Sequence, residues 1–155
     1  MRYRNGSTII EVLIAATLIS TAILAALSLG SSNQKQTDFS RYLNQATIYN
    51  NQALDWFRNL RTKMGWESFI NELDLDTDTG TVSYCLNTLP EDTAGFAALS
   101  ANLCGETEVI GATVFQREVT LTFSGAPVDT ASVIMTTSWQ GKAHQITTEG
   151  TLTKW

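Results

Sequence analysis

The feature that most limits what this 155-residue chain can become is an apolar run from Val12 to Leu29 that contains no charged side chain. About 20 such residues cross a bilayer as a helix, so the run is long enough to span a membrane. One acid, Glu11, stands at its edge, and a carboxylate in hydrocarbon costs about 3 kcal/mol unless a partner neutralises it. Arg2 and Arg4 precede the run, and basic flanks stay on the cytoplasmic side, so the bulk of the chain is expected to be exported. A cleaved secretory signal also starts basic, but its apolar stretch is usually about 7–15 residues long and free of acids. Here the stretch is longer, carries Glu11, and offers no good small-x-small cleavage site before Ser31. An uncleaved signal anchor explains the length and the basic flank, yet it leaves Gly6 and Glu11 as coincidences.

Read in order, Gly6-Ser7-Thr8-Ile9-Ile10-Glu11 after a short basic leader resembles the prepilin signal of type IV pilins and of the pseudopilins of type II secretion. The resemblance implies that a prepilin peptidase in the membrane cuts after Gly6 and methylates the new amino group of Ser7, and that Glu11 governs assembly. It implies three regions: a leader over residues 1–6, a hydrophobic transmembrane and assembly helix over 7–32, and an exported pilin head over 33–155. The implied partners are other pilin subunits through the N-terminal helix, the peptidase, the pilus assembly platform, and the cytoplasmic membrane before assembly. Most family members have Phe where Ser7 stands, and many have Pro where Ser28 stands. The second difference implies a helix without the usual kink.

Once the leader and membrane segment are set aside, about 120 residues remain, enough for one modest domain with its own core. The chain holds 15 acidic and 10 basic residues, and removing Arg2 and Arg4 would leave the exported part more acidic still. That balance argues against nucleic acid as the main partner. Arg58, Arg61 and Lys63 form only a small basic group, which reads as a solvated helix face with favourable charge near a helix C-terminus. Cys85 and Cys104 are the 2 cysteines, and in an exported domain an even count points to a disulfide. Their spacing fits no metal motif.

Helical spacing continues beyond the membrane segment and its small-residue patch Gly30-Ser31-Ser32, through Phe39, Leu43, Ala46, Ala53, Phe57, Leu60 and Met64. No proline occurs before Pro90, so one helix is expected from about Thr8 to Met64, apolar in its first half and amphipathic in its second. Residues 65–104 read as irregular, with a turn-rich segment from Asp74 to Gly80 and a short strand from Thr81 to Leu86. Three strands follow: Val114 to Phe123, Ser132 to Trp139 after the turn Ser124-Gly125-Ala126-Pro127, and His144 to Thr153 after Gln140-Gly141-Lys142. In the first of them Phe115, Arg117, Val119, Leu121 and Phe123 share a face, which Arg117 interrupts. Together these give an α+β class, a long helix whose amphipathic half packs on an antiparallel sheet. A type IV pilin-like fold is what the resemblance implies for that layout. The stretch from Val133 through Trp139 and His144 to Trp155 is similar to the ending of minor pilins of the PilV kind, although both tryptophans also have a plain role as cross-strand or core aromatics.

Nothing in the sequence assembles a catalytic constellation. His144, the 1 histidine, lies in a Thr-rich strand without a neighbouring nucleophile or second metal ligand. The acids at Asp74, Asp76 and Asp78 match a calcium loop only loosely, because Gly80 is one place late and Cys85 stands where a bidentate Glu belongs. A solvated turn explains them. The chain is therefore read as a minor type IV pilin, not an enzyme, with no cofactor or metal. A minor pseudopilin of type II secretion and an uncleaved membrane-anchored binding protein are the alternatives. Thiol titration of the chain denatured without reductant should find no reactive thiol; two would remove the disulfide.

Overall fold

A computed structural model describes residues 5–73, 80–124 and 128–154, and of residues 5–8 the backbone only. The elements are α1 (Asn5–Met64), α2 (Trp66–Asn71), β1 (Thr81–Cys85), α3 (Thr93–Ala97), β2 (Phe115–Ser124), β3 (Thr130–Trp139) and β4 (His144–Thr153). The expected turn at Gly125-Ala126-Pro127, the acidic residues 74–79 and Trp155 lie outside the described residues. The chain divides into two compact units, Met1–Tyr42 and Leu43–Trp155.

With no proline to remove a donor, α1 continues through Gly30-Ser31-Ser32 without a break. It stops at Gly65, whose N–H donates to the Arg61 carbonyl at 2.9 Å and whose φ of +78° a side chain would oppose. Arg61 and Lys63 fall in its last turn, where positive charge complements the exposed carbonyls. In the first unit every described side chain from Ile9 to Ser40 is exposed, including Ile9, Leu13, Leu18, Leu24 and Leu29.

The second unit is built on a four-stranded antiparallel sheet in the order β1-β2-β3-β4. All four strands match the expected ones closely, and β1, one residue shorter than expected, joins the other three as an edge, pairing Thr81 with Thr122 and Cys85 with Glu118. Alternation sorts the side chains. Val82, Tyr84, Val119, Leu121, Phe123, Ala131, Val133 and Met135 are buried against Ala53, Leu54, Phe57 and Leu60 of α1. The opposite face carries rows of hydroxyls in register, such as Thr81, Thr122, Ser132 and Thr151. Several pair across strands, Thr81 with Thr122 at 3.3 Å and Ser83 with Thr120 at 2.9 Å.

The amphipathic face of α1 begins later than the spacing predicts. Phe39 and Leu43 remain 44% and 38% exposed, and burial starts at Ala46. The segment between α1 and β1 and the one after β1 also differ from expectation, for each contains a short helix. Helices of 6 and 5 residues are too brief for a hydrophobic period to show. Asp92 caps α3 by accepting from the Gly95 N–H at 2.7 Å. The two helices insert Phe69 and Phe96, whose rings stack at 5.8 Å and meet Phe57 edge-on. Such pairs add about 0.5–1.5 kcal/mol each to simple burial.

Asn50 is the polar residue that the periodicity did not expose. It is fully buried, and its amide nitrogen donates to the carbonyls of Met135 at 3.3 Å and Ile146 at 3.2 Å and to the Thr148 hydroxyl at 3.1 Å. Its amide oxygen accepts from the buried Thr137 hydroxyl at 2.6 Å. Nearby, Gly150 lets the helix approach: a Cβ there would lie 2.9 Å from Leu54 Cδ2. Asn50→Ala should cost about 2–4 kcal/mol, because buried partners lose their bonds. Asn50→Asp should do at least as much harm by turning a carboxylate toward carbonyls. Thermal unfolding of the full chain in detergent, followed by circular dichroism, measures both.

Candidate functional site

Gly6, Ser7 and Glu11 all lie in α1, and residues 7 and 11, four apart on a helix, share a face. The side chain of Glu11 is exposed among Ile9, Ile10, Val12, Leu13 and Ile14, and among the described residues it makes no ion pair. Among the described residues one helix is long and apolar enough to cross a membrane, and its most apolar window is wholly unburied. The helix itself accommodates hydroxyls that would otherwise be costly in lipid. Thr17 donates to the Ile14 carbonyl at 2.8 Å, Ser20 to Ala16 at 2.8 Å, and Thr21 to Leu18 at 2.9 Å. Glu11 has no such internal partner, since an ionised carboxylate only accepts and the helix backbone offers no free N–H donor at that point.

In the second unit Cys85 and Cys104 are joined by a disulfide, with their Cα atoms 4.7 Å apart. This ties the end of β1 to the segment that precedes β2. Polar contacts reinforce the tie. The Cys104 N–H donates to Glu118 Oε1 at 3.0 Å, and Lys142 Nζ meets the same oxygen at 2.7 Å. Lys142 belongs to the β3–β4 hairpin, where Gln140, Gly141 and Lys142 have φ of 53°, 64° and 67°. Two non-glycine residues held in that left-handed region cost roughly 1 kcal/mol each, so the bond to Glu118 fixes a tip that would otherwise relax.

Arg117, which interrupts the apolar face of β2, is buried as a structural clasp. Its Nε donates to the Leu86 carbonyl at 2.9 Å and its Nη1 to the Tyr49 carbonyl at 2.8 Å, linking β2 to α1 and to the chain after β1. Burial pushes its guanidinium below the ordinary arginine range, down to about 10, with Tyr49 acting less strongly in the opposite sense.

The remaining sequence candidates fall into structural roles. His144 is exposed and stacks on Trp139 at 5.6 Å. Arg58 pairs with Asp55 at 2.9 Å on the helix surface, and Arg61 donates to the Thr153 carbonyl at 2.8 Å. Among the described residues no group of three or more His, Cys, Asp and Glu side chains is placed to hold a metal. The acids at 74, 76 and 78 lie outside them.

A cleft of about 420 Å³ opens where the disulfide-tied segment faces the β3–β4 hairpin, with Trp139, Val109, Val114, Gln116, Glu106 and Lys142 around it. Sequence reasoning did not find it, because its walls come from three separated stretches without common period. The exposed Val114, just outside β2, was the one local signal.

No family model matches this chain, nor does any curated protein or solved structure. The chemistry of its own residues carries the functional argument.

For Arg117 the sign of the pH effect follows from its folded value lying below its unfolded one. Burying the cation opposes folding at all pH values below about 10, and that opposition fades as pH rises beyond that value. The stability of the chain relative to Arg117→Met should therefore rise over this window, as read from paired urea midpoints.

Proposed function

We propose that this chain is a minor subunit of a type IV pilus, processed by a prepilin peptidase and held in the cytoplasmic membrane before assembly. The observation that carries the proposal is Glu11, an exposed acid at the edge of the uncharged apolar run, four residues after Ser7 and without an ion-pair partner among the described residues. The α+β layout, a long helix with an antiparallel sheet, is compatible with a type IV pilin-like fold.

In this reading the peptidase cuts between Gly6 and Ser7 and methylates the Ser7 amine. In the sequence of the uncut chain the nearest basic side chains to the acid are Arg2 and Arg4, on the far side of the scissile bond. Cutting creates a cation four residues from Glu11 on the same helix face. During assembly the apolar run leaves lipid and packs against the corresponding runs of other subunits. There the Glu11 carboxylate meets a Ser7 amine, its own or a neighbour's. In low dielectric the attraction is strong but desolvation offsets much of it, so the pair acts mainly to select register. Unpaired charge would be left by any axial slip of one turn, about 5.4 Å. The head, stabilised by its disulfide, is exported into an oxidising space.

Mass spectrometry of the mature protein should find N-methylated Ser7 at the N-terminus, and an intact Met1 would overturn the proposal. Glu11→Ala should be cut normally yet fail to enter fibres. Fibre preparations containing that variant at wild-type levels would remove Glu11 from assembly.

A further inference from the structure

The cleft beside the β3–β4 hairpin has the chemistry of a receptor for one basic side chain. Its walls are Val109 and Val114 over a floor where Trp139 is only 2% exposed, and Val114 is 52% exposed although it has a branched apolar side chain. Its volume of about 420 Å³ lies toward the small end of ligand clefts, which run roughly 300–1,000 Å³.

The polar groups around the cleft are not equivalent. Gln116, only 6% exposed, donates from Nε2 to the carbonyls of Gly105 at 2.7 Å and Glu106 at 3.0 Å, so its amide holds the wall in place. Lys142 is already neutralised by Glu118 at 2.7 Å. Glu108 accepts from the Gly105 N–H at 2.5 Å and shapes the same turn. Glu106 is exposed at the cleft, and among the described residues no ion pair neutralises it. The net charge offered to a ligand is therefore negative, beside apolar walls.

An anion is disfavoured by Glu106 and finds no uncommitted ammonium. A purely apolar group leaves Glu106 facing it unpaired. An aliphatic stem ending in a cation satisfies both parts, with the stem along Val109 and Val114 and the head at the Glu106 carboxylate. We propose that this cleft binds an arginine or lysine side chain presented by a partner protein. The fold prepares the site in advance: the disulfide and the Cys104–Glu118–Lys142 contacts fix its two sides, and the left-handed hairpin tip is held in place at rest. The inference needs only the second unit and does not depend on the chain being a pilus subunit.

The test uses the full chain in detergent with methyl-labelled valines. Nα-acetyl-argininamide is titrated in, with Nα-acetyl-norleucinamide and Nα-acetyl-glutamamide as controls at equal ionic strength. Saturable shifts at the Val109 and Val114 methyls are expected for the arginine compound, on the order of millimolar affinity as befits a single side chain. Glu106→Gln, an exposed substitution that leaves the wall intact, should weaken it about threefold or more. The proposal is overturned if the arginine compound gives no saturable shift. It also fails if norleucinamide or the glutamate compound binds as well, or if Glu106→Gln leaves the affinity unchanged.

Discussion

The buried amide of Asn50 is the contact on which the geometry of the second unit depends. Apolar surfaces attract without direction, so Phe57 and Leu60 alone would tolerate some sliding of the helix over the sheet. An amide that must find two carbonyls and two hydroxyls on β3 and β4 tolerates little. Once it is seated, Leu54 falls over Gly150, the Trp56 indole reaches the Pro90 carbonyl at 2.7 Å, and Arg61 reaches Thr153. These contacts lie on successive turns of α1 and share one registration. Arg117 does the same from the sheet side, reaching back to Tyr49 one residue before Asn50. Two polar clasps thus fix a helix that hydrophobic burial only attracts.

The two compact units solve the problem of polar groups differently. In the second, buried donors and acceptors are met by partners distant in sequence, as Asn50, Arg117 and Gln116 show. In the first, the hydroxyls of Thr17, Ser20 and Thr21 turn back to carbonyls of their own helix. That is the solution available to an apolar helix long enough to lie in lipid, where no tertiary partner can be assumed. Glu11 stands outside it because a carboxylate needs a donor from elsewhere.

Much of this was legible in the sequence because it is periodic or local. The absence of proline before Pro90 foretold the uninterrupted α1, and alternation foretold the inward set of β2, including the odd position of Arg117. The cysteine count anticipated the bridge between Cys85 and Cys104. What stayed hidden depends on contacts between distant segments. Asn50 resembles its solvated neighbours Asn51 and Gln52, and only the approach of β3 and β4 separates them. The short helices carrying Phe69 and Phe96 have no period to read, and β1 gave no sign that it would pair with β2. Within the cleft, Glu106 lies 33 positions before Trp139 in a stretch without regular structure.

The hydroxyl rows on the outer face of the sheet bear on crowding. At high local concentration exposed sheet faces tend to stack if they have apolar area to bury. Here the central rows offer mainly Thr and Ser around Ile134 and Glu149, several of the hydroxyls already bonded to one another across the strands, as Thr136 is to Thr147 at 3.4 Å. Stacking two such faces would displace water without gaining an apolar contact of comparable size. Copies of this chain can therefore stand close together while their sheets remain strangers to one another.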